Sequence, residues 1–319
     1  MIPSHVTTTN APIAVLAVGG NALSPSGNAT VDEQLAGARQ VAAQAVAMEA
    51  SGQGVLVVHG NGPQVGALSL AQEAVARDMP LQPLHLLVAM TQGQIGFLLA
   101  QAIGDAQVAG GRERRVAAIA TQIVVDPRDP GFANPTKPIG PFFSEGRARR
   151  LAEARAWSVA EDSGRGWRRV VASPEPLAVL EQAQIRALLA EGQTVIACGG
   201  GGIPVVQQGA VFTGIDAVID KDYAAALIGR LVGAETLLLV TGVDRVALDF
   251  GKPTQRDVAT MTLAEARAHY ADGQFPPGSM GPKVDACIRF AEGGGKAIIC
   301  SLEQSAAALA GEAGTRIGG

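Results

Sequence analysis

Short runs of apolar residues recur along the chain, and each is followed by sequence with helical spacing of Ala, Val and Leu. Runs of this length, bounded by turn residues, indicate buried strands, and the longer periodic segments between them indicate helices. The predicted strands are 14–18, 54–58, 116–125, 194–198, 236–240 and 297–300; the clearest predicted helices are 30–50, 64–77 and 84–106. This alternation predicts an α/β fold, in which an open, mostly parallel sheet is sandwiched by helices (α/β/α).

One segment interrupts the alternation. Five prolines fall between positions 126 and 141, where neither a helix nor a central strand can continue. An arginine-rich helical segment follows at 144–156, and apolar sequence returns at Val170. We therefore expect a single domain over residues 1–319, with a small protruding subdomain, or lid, inserted at 127–168. The alternative is a surface insertion that carries a solvated basic helix.

Three of the predicted strands end in glycine-rich turns. Their sequences are Gly19-Gly20-Asn21, Gly60-Asn61-Gly62 and Gly199-Gly200-Gly201-Gly202. Ligands of parallel sheets bind at the carboxyl ends of strands, and backbone N–H groups without a neighbouring Cβ can approach an anion closely. Pro63 suits the first turn of a helix whose positive end would face the same place. A single glycine turn would indicate only a tight turn, but three favour an anion-binding site.

Several familiar catalytic motifs are missing from the sequence. There is no GxxxxGK[ST] phosphate loop, no H-E-x-x-H and no G-x-S-x-G. The nearest approach to a dinucleotide-binding GxGxxG runs from Gly60 to Gly66 and is one residue too long, which leaves a dehydrogenase only weakly supported. The four histidines are scattered, and His59 is interpreted as a packed residue at a strand end and not as a general base.

Composition narrows the choice of partners and compartment. The chain has 25 basic and 29 acidic residues, a net charge of −4, so it has no electrostatic footprint for nucleic acid. No apolar run reaches the ~20 residues of a membrane helix, and residues 1–10 do not resemble a signal peptide. Three cysteines without a CxxC spacing indicate reduced thiols in a cytoplasmic protein.

Lysine is rare in this chain, with 5 residues against 20 arginines, and three of the lysines lie in notable places. Lys221 lies between Asp220 and Asp222 just before a helical run at 223–232. Lys283 ends a Pro/Gly-rich turn before a predicted helix at 284–292, and Lys137 lies in the proline-rich excursion. Phosphoryl transfer needs cations and backbone donors around the transferred group. The alternative is that each lysine merely forms a solvated ion pair.

Taken together, the motifs resemble those of carbamate kinases, in the amino acid kinase superfamily, over residues 14–317. The matching segments are AVGGNAL (17–23), HGNGPQVG (59–66), NPTKPIGPF (134–142), WRRVVASP (167–174), VIACGGGGIPV (195–205), AVIDKD (217–222) and GQFPPGSMGPKVDACIRF (273–290). NPTKPIGPF is the most specific, because it separates carbamate kinases from relatives that act on acetylglutamate, aspartate or UMP. The resemblance implies an amino acid kinase fold, a homodimer without nucleic-acid or membrane partners, and reversible phosphoryl transfer between ATP or ADP and carbamate or carbamoyl phosphate.

The resemblance also assigns roles to residues. It implies that Lys137, Lys221, Asp222 and Lys283 are catalytic, that Gly19, Gly20, Asn21, Gly60, Asn61 and Gly62 hold the transferred phosphate, and that the nucleotide is bound by Gly199, Gly200, Gly201, Gly202, Thr241, Gly242, Val243, Asp244, Met280 and Gly281. It implies Mg²⁺ that accompanies the nucleotide, with no protein side chain assigned as a metal ligand. Gly242 departs from the family, which usually has an acid there. Two alternatives stay open: another small-molecule kinase of the superfamily, and a catalytically silent nucleotide-binding protein.

Overall fold

The computed structural model describes residues 11–26, 29–76, 78–162, 164–276 and 278–318, and only the backbone of Asn21. The expectations about residues 1–10, Arg77, Pro277 and the Asn21 side chain lie outside this part. The strands are β1 Ile13–Val18, β2 Gly54–His59, β3 Val116–Ala118, β4 Gln122–Val124, β5 Lys137–Phe143, β6 Ser158–Glu161, β7 Trp167–Val171, β8 Ala178–Val179, β9 Thr194–Ile196, β10 Ile203–Gln208, β11 Val211–Gly214, β12 Thr236–Val240, β13 Val246–Leu248, β14 Arg256–Val258, β15 Thr260–Met261, β16 Lys296–Cys300 and β17 Thr315–Ile317. The helices are α1 Gly20–Leu23, α2 Val31–Ala50, α3 Gly62–Ala74, α4 Leu84–Ala109, α5 Glu145–Arg155, α6 Gln182–Ala190, α7 Lys221–Val232, α8 Leu263–Ala271, α9 Met280–Ala291 and α10 Ser305–Leu309.

A central sheet of eight strands organises the chain, in the order β15-β17-β16-β12-β1-β2-β9-β3. The strands from β16 to β3 are parallel, and β17 runs antiparallel to β16. β1 lies between β2 and β12, with Ala14 in register with Val55 on one side and Thr236 on the other. The prediction of an open, mostly parallel sheet is confirmed.

Helices cover both faces of this sheet, and the side chains of β1 alternate between them. Leu16 packs with Val41 of α2 and Ile95 of α4 on one face. Val15 packs with Ile228 of α7 and Phe290 of α9 on the other. Because both faces of β1 are covered, the strand is a continuous apolar run without polar alternation. This is the α/β/α layering that the sequence predicts.

Helix α4 is the described helix that is long and apolar enough to cross a membrane by length and composition. Its 26 residues nevertheless pack along α2 and the sheet, with Ile95, Leu99 and Ile103 almost fully buried. Gln92 and Gln107 are buried in the same helix and form side-chain hydrogen bonds. The individual apolar runs of the sequence are too short to cross a membrane, but hydropathy averaged along the whole of α4 is high enough. The packing identifies α4 as a core helix.

The prediction of one strand over 116–125 is wrong. β3 pairs with β9 in the central sheet, whereas β4 pairs with β10 in a second sheet of order β11-β10-β4-β8. The chain changes partners at Thr121, whose backbone N–H donates to Gln92 Oε1 at 2.8 Å. A side chain from α4 therefore replaces a strand neighbour at the break, which apolar patterning does not reveal.

The proline-rich excursion forms a three-stranded antiparallel sheet, β5-β7-β6, that carries α5. We call β5, α5, β6 and β7 the insert. Pro138 and Pro141 lie within β5, which is an edge strand and not a central one, as the prolines predict. Its register with β7 shifts between Ile139 and Phe143. The boundaries of the expected lid, 127–168, stay a prediction.

Arginine–aromatic stacking holds much of the insert together. Of the seven such stacks among the described residues, six join side chains of residues 142–169. Arg155 and Arg169 both stack on Trp157, and α5 buries only Ala148. The insert packs against the rest of the domain through apolar side chains: Ile139 of β5 belongs to the same buried cluster as Val65 of α3.

Candidate active site

The three glycine turns meet at the carboxyl ends of β1, β2 and β9. A Cβ on Gly60 would lie 2.7 Å from the backbone nitrogen of Gly20, so these two turns touch through their backbones. Gly200 has φ +67°, and a Cβ there would lie 2.3 Å from Asn61 Nδ2. The turns therefore pack too closely at this edge of the sheet to leave room for side chains at these glycines. What remains facing outward is backbone, which suits an anion-binding cradle.

Three helices begin at the same edge. Asn61 occupies the N-cap position of α3, which has Pro63 in its first turn as predicted. The side chain of Asp220 caps α7, and α9 begins at Met280. The prediction that α9 starts at 284 was four residues late, so Lys283 lies inside the first turn of the helix and not in the turn before it. Helix N-termini carry partial positive charge and favour anions.

Lysines and aspartates form a connected cluster above the glycine turns. Asp222 pairs through Oδ1 with Lys221 Nζ at 2.5 Å and through Oδ2 with Lys283 Nζ at 2.8 Å. Lys137 Nζ, which comes from β5 of the insert, lies 2.6 Å from Asp220 Oδ2. The structure therefore brings together all four residues to which the resemblance assigns catalysis, and adds Asp220.

The Lys221 side chain extends over the cradle. A Cβ on Gly60 would lie 3.3 Å from Lys221 Cδ, and one on Gly19 would lie 3.8 Å from Lys221 Cε. The side chain of Lys221 is 9% exposed. Its ammonium is thus held beside the backbone donors of two loops, where strand β1 itself supplies no cation.

Burial and pairing set the charges in the cluster. Burial lowers the pKa of Lys221 to about 8, although Asp222 opposes this shift. Burial also disfavours the charge of Lys283, but Asp222 and Asp220 outweigh it and raise the pKa of Lys283. Asp222 is desolvated as well, yet the two ammonium groups hold its pKa well below the usual range. At neutral pH Lys221 and Lys283 are therefore ammonium groups, and Asp222 between them is a carboxylate.

A second layer of side chains fixes the loops from behind. Gln92 of α4 donates to the carbonyl of Gly199 at 2.9 Å, and Asn61 Nδ2 donates to Thr91 Oγ1 at 2.9 Å. Thr121 Oγ1 accepts from the backbone N–H of Cys198 at 3.0 Å, and Cys198 has a left-handed φ of 52°. The contacts join residues 30 to 107 positions apart in the sequence, so no local motif signals them.

His59 and the cysteines offer no reactive group here. His59 is buried, and burial lowers its pKa to about 4, so its ring is neutral at pH 7. Its Nδ1 lies 3.2 Å from the carbonyl of Gly60, which agrees with the interpretation of a packed strand-end histidine. Burial raises the pKa of all three cysteine thiols, which are free. Neither residue type serves as a nucleophile or base.

The expected nucleotide-binding residues occupy the neighbouring part of the edge. Thr241 to Asp244 follow β12, the neighbour of β1, and form no hydrogen bond or ion pair with the lysine cluster within the described chain. A Cβ on Gly242 would have no atom within 4 Å, so the missing acid leaves open space. Met280 and Gly281 begin α9, three and two residues before Lys283.

The chain matches the model of the amino acid kinase family over residues 12–301. The carbamate kinase of Thermococcus kodakarensis is 44% identical over 308 residues, which are 95% of this chain and 98% of the relative. That of Clostridium perfringens is 45% identical over 310 residues, with the same coverage. The chain belongs to the amino acid kinase family. Among solved structures of this family, carbamate kinase from Giardia lamblia bound to AMP-PNP matches with a TM-score of 0.87 and 39% identity, over 97% of this chain and 98% of that one.

For a member of the amino acid kinase family, the chemistry of the site is restricted. The backbone of the glycine turns lies beside the connected lysine–aspartate cluster. Among the described residues, His59 and Cys198 supply no base or nucleophile at neutral pH, and there is no group of three metal-binding side chains. Such a site can bind, orient and stabilise an anionic group in transit. The resemblance drawn from the motifs is confirmed at the level of family and fold.

Proposed function

We propose that this chain is a carbamate kinase, which transfers a phosphoryl group reversibly between ADP and carbamoyl phosphate. The observation that carries the proposal is the lysine cluster over the glycine cradle, with Lys137 supplied by the NPTKPIGPF segment of the insert. Relatives named carbamate kinase at 44–45% identity over nearly the full chain support it.

The geometry favours direct in-line transfer. An oxygen of the ADP β-phosphate attacks the phosphorus, the bond from phosphorus to the carbamate oxygen breaks, and carbamate leaves as an anion. The reverse step needs no general base, because the attacking carbamate oxygen is already anionic. Backbone N–H groups of the turns at Gly19-Gly20 and Gly60–Gly62 hold the transferred phosphoryl group. Catalysis then comes from positioning and charge stabilisation.

The lysines divide the work. Lys221 and Lys283 flank the terminal phosphates of the nucleotide, and Asp222 keeps both ammonium groups at fixed distances of 2.5 and 2.8 Å. Lys137 contacts the carbamoyl phosphate from above. Thr241 to Asp244 and the start of α9 line the side where the nucleotide binds. The backbone of Asn21 belongs to the phosphate cradle.

Mg²⁺ enters with the nucleotide as part of the substrate. Mg²⁺ keeps several waters and binds through phosphates plus one or two carboxylates, so it does not require a cage of protein ligands. The described residues contain no group of three metal-binding side chains.

The test is formation of ATP from ADP and carbamoyl phosphate in a coupled assay. We expect turnover with carbamoyl phosphate, and none above background with acetylglutamate, aspartate or UMP assayed with ATP. Lys137→Ala should weaken the use of carbamoyl phosphate and leave ADP binding within about twofold, because Lys137 lies on the insert and contacts no nucleotide-side residue. Retained ADP binding with no turnover in the unmodified protein would contradict the proposal.

We further propose a cytoplasmic homodimer that pairs through α4. Leu86, Met90 and Phe97 are 40, 50 and 62% exposed and, with Gly93, form an apolar stripe along the helix. Residues at such spacing share one helix face. Phe97→Asp should yield a monomer in sedimentation velocity, whereas the same change at exposed Val211 should not.

We also propose that residues 127–168 act as a lid. The two tryptophans of the chain, Trp157 and Trp167, both lie in the insert, so intrinsic fluorescence reports on it selectively. Carbamoyl phosphate should change acrylamide quenching of this fluorescence, and ADP alone should change it much less. Equal quenching in all three states would contradict a moving lid.

A further inference from the structure

Asp220 divides its two carboxylate oxygens between two parts of the molecule. Oδ1 accepts from the backbone N–H of Asp222 at 2.9 Å and caps α7. Oδ2 lies 2.6 Å from Lys137 Nζ on the insert, 83 positions away in sequence. One side chain therefore connects the helix that carries Lys221 to the strand that carries Lys137.

Capping alone does not require this carboxylate. A helix cap uses one side-chain oxygen, and Ser, Thr or Asn supply it as well as Asp does. In this chain, threonine hydroxyls cap α2 at Thr30 and α8 at Thr262. The second oxygen of Asp220 is thus free for another role, and the structure shows it engaged with an ammonium group.

Lys137 depends on this contact. Within the described chain its ammonium has no other ion-pair or hydrogen-bond partner, and it extends from an edge strand that Asp222 does not reach. The side chains of Lys137 and Asp220 are only 25% and 13% exposed, so solvent screens their pairing weakly. A long lysine side chain loses rotamer freedom when it is ordered, and pairing with Asp220 orders it before substrate arrives.

We propose that Asp220 is a positioning residue for Lys137. It holds the ammonium group of Lys137 over the cradle before carbamoyl phosphate binds. The inference rests on the proposed function. Asp220 also helps to raise the pKa of Lys283, but Asp222 pairs with that ammonium directly at 2.8 Å and keeps it charged without Asp220. The loss of Asp220 should therefore act mainly through Lys137, on the carbamoyl phosphate side of the reaction.

The experiment compares Asp220→Asn, Asp220→Ser, Lys137→Ala and the double variant Asp220→Asn/Lys137→Ala. Asn and Ser keep an oxygen for the cap but lose the charged partner of Lys137. We expect each to raise KM for carbamoyl phosphate about tenfold, as for loss of one charge-assisted hydrogen bond. KM for ADP should stay within about twofold. In the Lys137→Ala background, Asp220→Asn should add nothing.

Thr262→Ala is the matched control, because it removes the cap of α8 and Thr262 bonds only to Glu265 among the described side chains, so it should change Tm without changing either KM. An unchanged or lower KM for carbamoyl phosphate overturns the proposal, as does an equal effect of Asp220→Asn with and without Lys137. If Asn fails to fold, the Ser variant carries the test. An unmodified protein without carbamoyl phosphate turnover would instead refute the proposed function, so the two failures are distinguishable.

Discussion

Replacing Lys221 by arginine should cost almost as much activity as replacing it by methionine. Lys221 Nζ lies 2.5 Å from Asp222 Oδ1, and its stem passes 3.3 Å from where a Gly60 Cβ would be. A guanidinium is planar, larger and fixed in its donor geometry, whereas an ammonium is a compact charge with three rotatable donors. Arginine therefore cannot occupy this position unless the glycine loops move.

The size of the effect follows from what the side chain does. Losing one preorganised donor that stabilises a transition state lowers turnover by about 10²–10³-fold, or about 3–4 kcal/mol. The folded state should lose less. Asp222 keeps its second partner, Lys283 at 2.8 Å, so no buried carboxylate is left unpaired. Burial of the charged form of Lys221 offsets part of what its pairing contributes, so we expect stability to change by no more than about 1–2 kcal/mol, below the 3–5 kcal/mol of a broken buried pair.

The assay is turnover with ADP and carbamoyl phosphate both saturating, alongside thermal unfolding of each variant. Lys296→Arg is the control, because Lys296 is exposed at the start of β16 and should tolerate arginine without loss of activity. Turnover of Lys221→Arg within a few-fold of the unmodified enzyme, with Lys221→Met inactive, would refute the reasoning: any positive charge would then suffice at this position.

Three further outcomes are expected. Since burial lowers the pKa of Lys221 to about 8, kcat/KM should fall as pH rises through 8. The stability contributed by this group should instead rise between pH 8 and its unfolded pKa near 10.5, because the unfolded chain binds more protons there. A pH–rate profile and a thermal-unfolding profile that move together would contradict this. Gly66→Ala should weaken carbamoyl phosphate use and destabilise the fold by about 1–3 kcal/mol, because its Cβ would lie 2.0 Å from the backbone nitrogen of Gly140, as urea unfolding and KM will show. Gly146→Ala is the control, because its Cβ would come no closer than 3.7 Å to a neighbouring atom, the end of the Arg150 side chain. The amide of buried Gln64 has no hydrogen-bond partner among the described residues, so Gln64→Met should raise the free energy of unfolding by about 1–2 kcal/mol; a net loss of stability in urea unfolding would show that the amide is satisfied.

The sequence predicts the centre of this molecule well because the signals there are local. An apolar run that ends in Gly19-Gly20 or in Gly60-Asn61-Gly62 specifies a buried strand and its turn within ten residues. The meeting of these turns then follows, because parallel strands place their carboxyl ends at one edge of the sheet. The rarity of lysine and the family motifs together indicate Lys137, Lys221 and Lys283 as functional residues, and the structure brings these three side chains into one cluster as expected.

What the sequence did not predict depends on contacts between distant residues. The break at Thr121 is produced by Gln92, 29 residues earlier, and no hydropathy pattern encodes it. The sequence shows Asp220 only as a neighbour of Lys221. It does not show that Asp220 pairs with Lys137, because Lys137 lies in a strand of a separate sheet. The local signal for it, an aspartate directly before a helix, indicates a cap but not an ion pair.

The position of β1 has a consequence for how the chain is made. Its neighbours are β2, which begins at Gly54, and β12, which begins at Thr236. More than two hundred residues must therefore be synthesised after β1 before β12 can pair with its second side. Until then, an apolar strand with unpaired backbone groups stays exposed on the nascent chain. Strands so far apart in sequence pair slowly, and exposed strand edges promote aggregation. We therefore expect β1 to complete its pairing only after most of the chain has been synthesised, and carboxyl-terminal truncation before β12 to leave an insoluble fragment and not a smaller folded core.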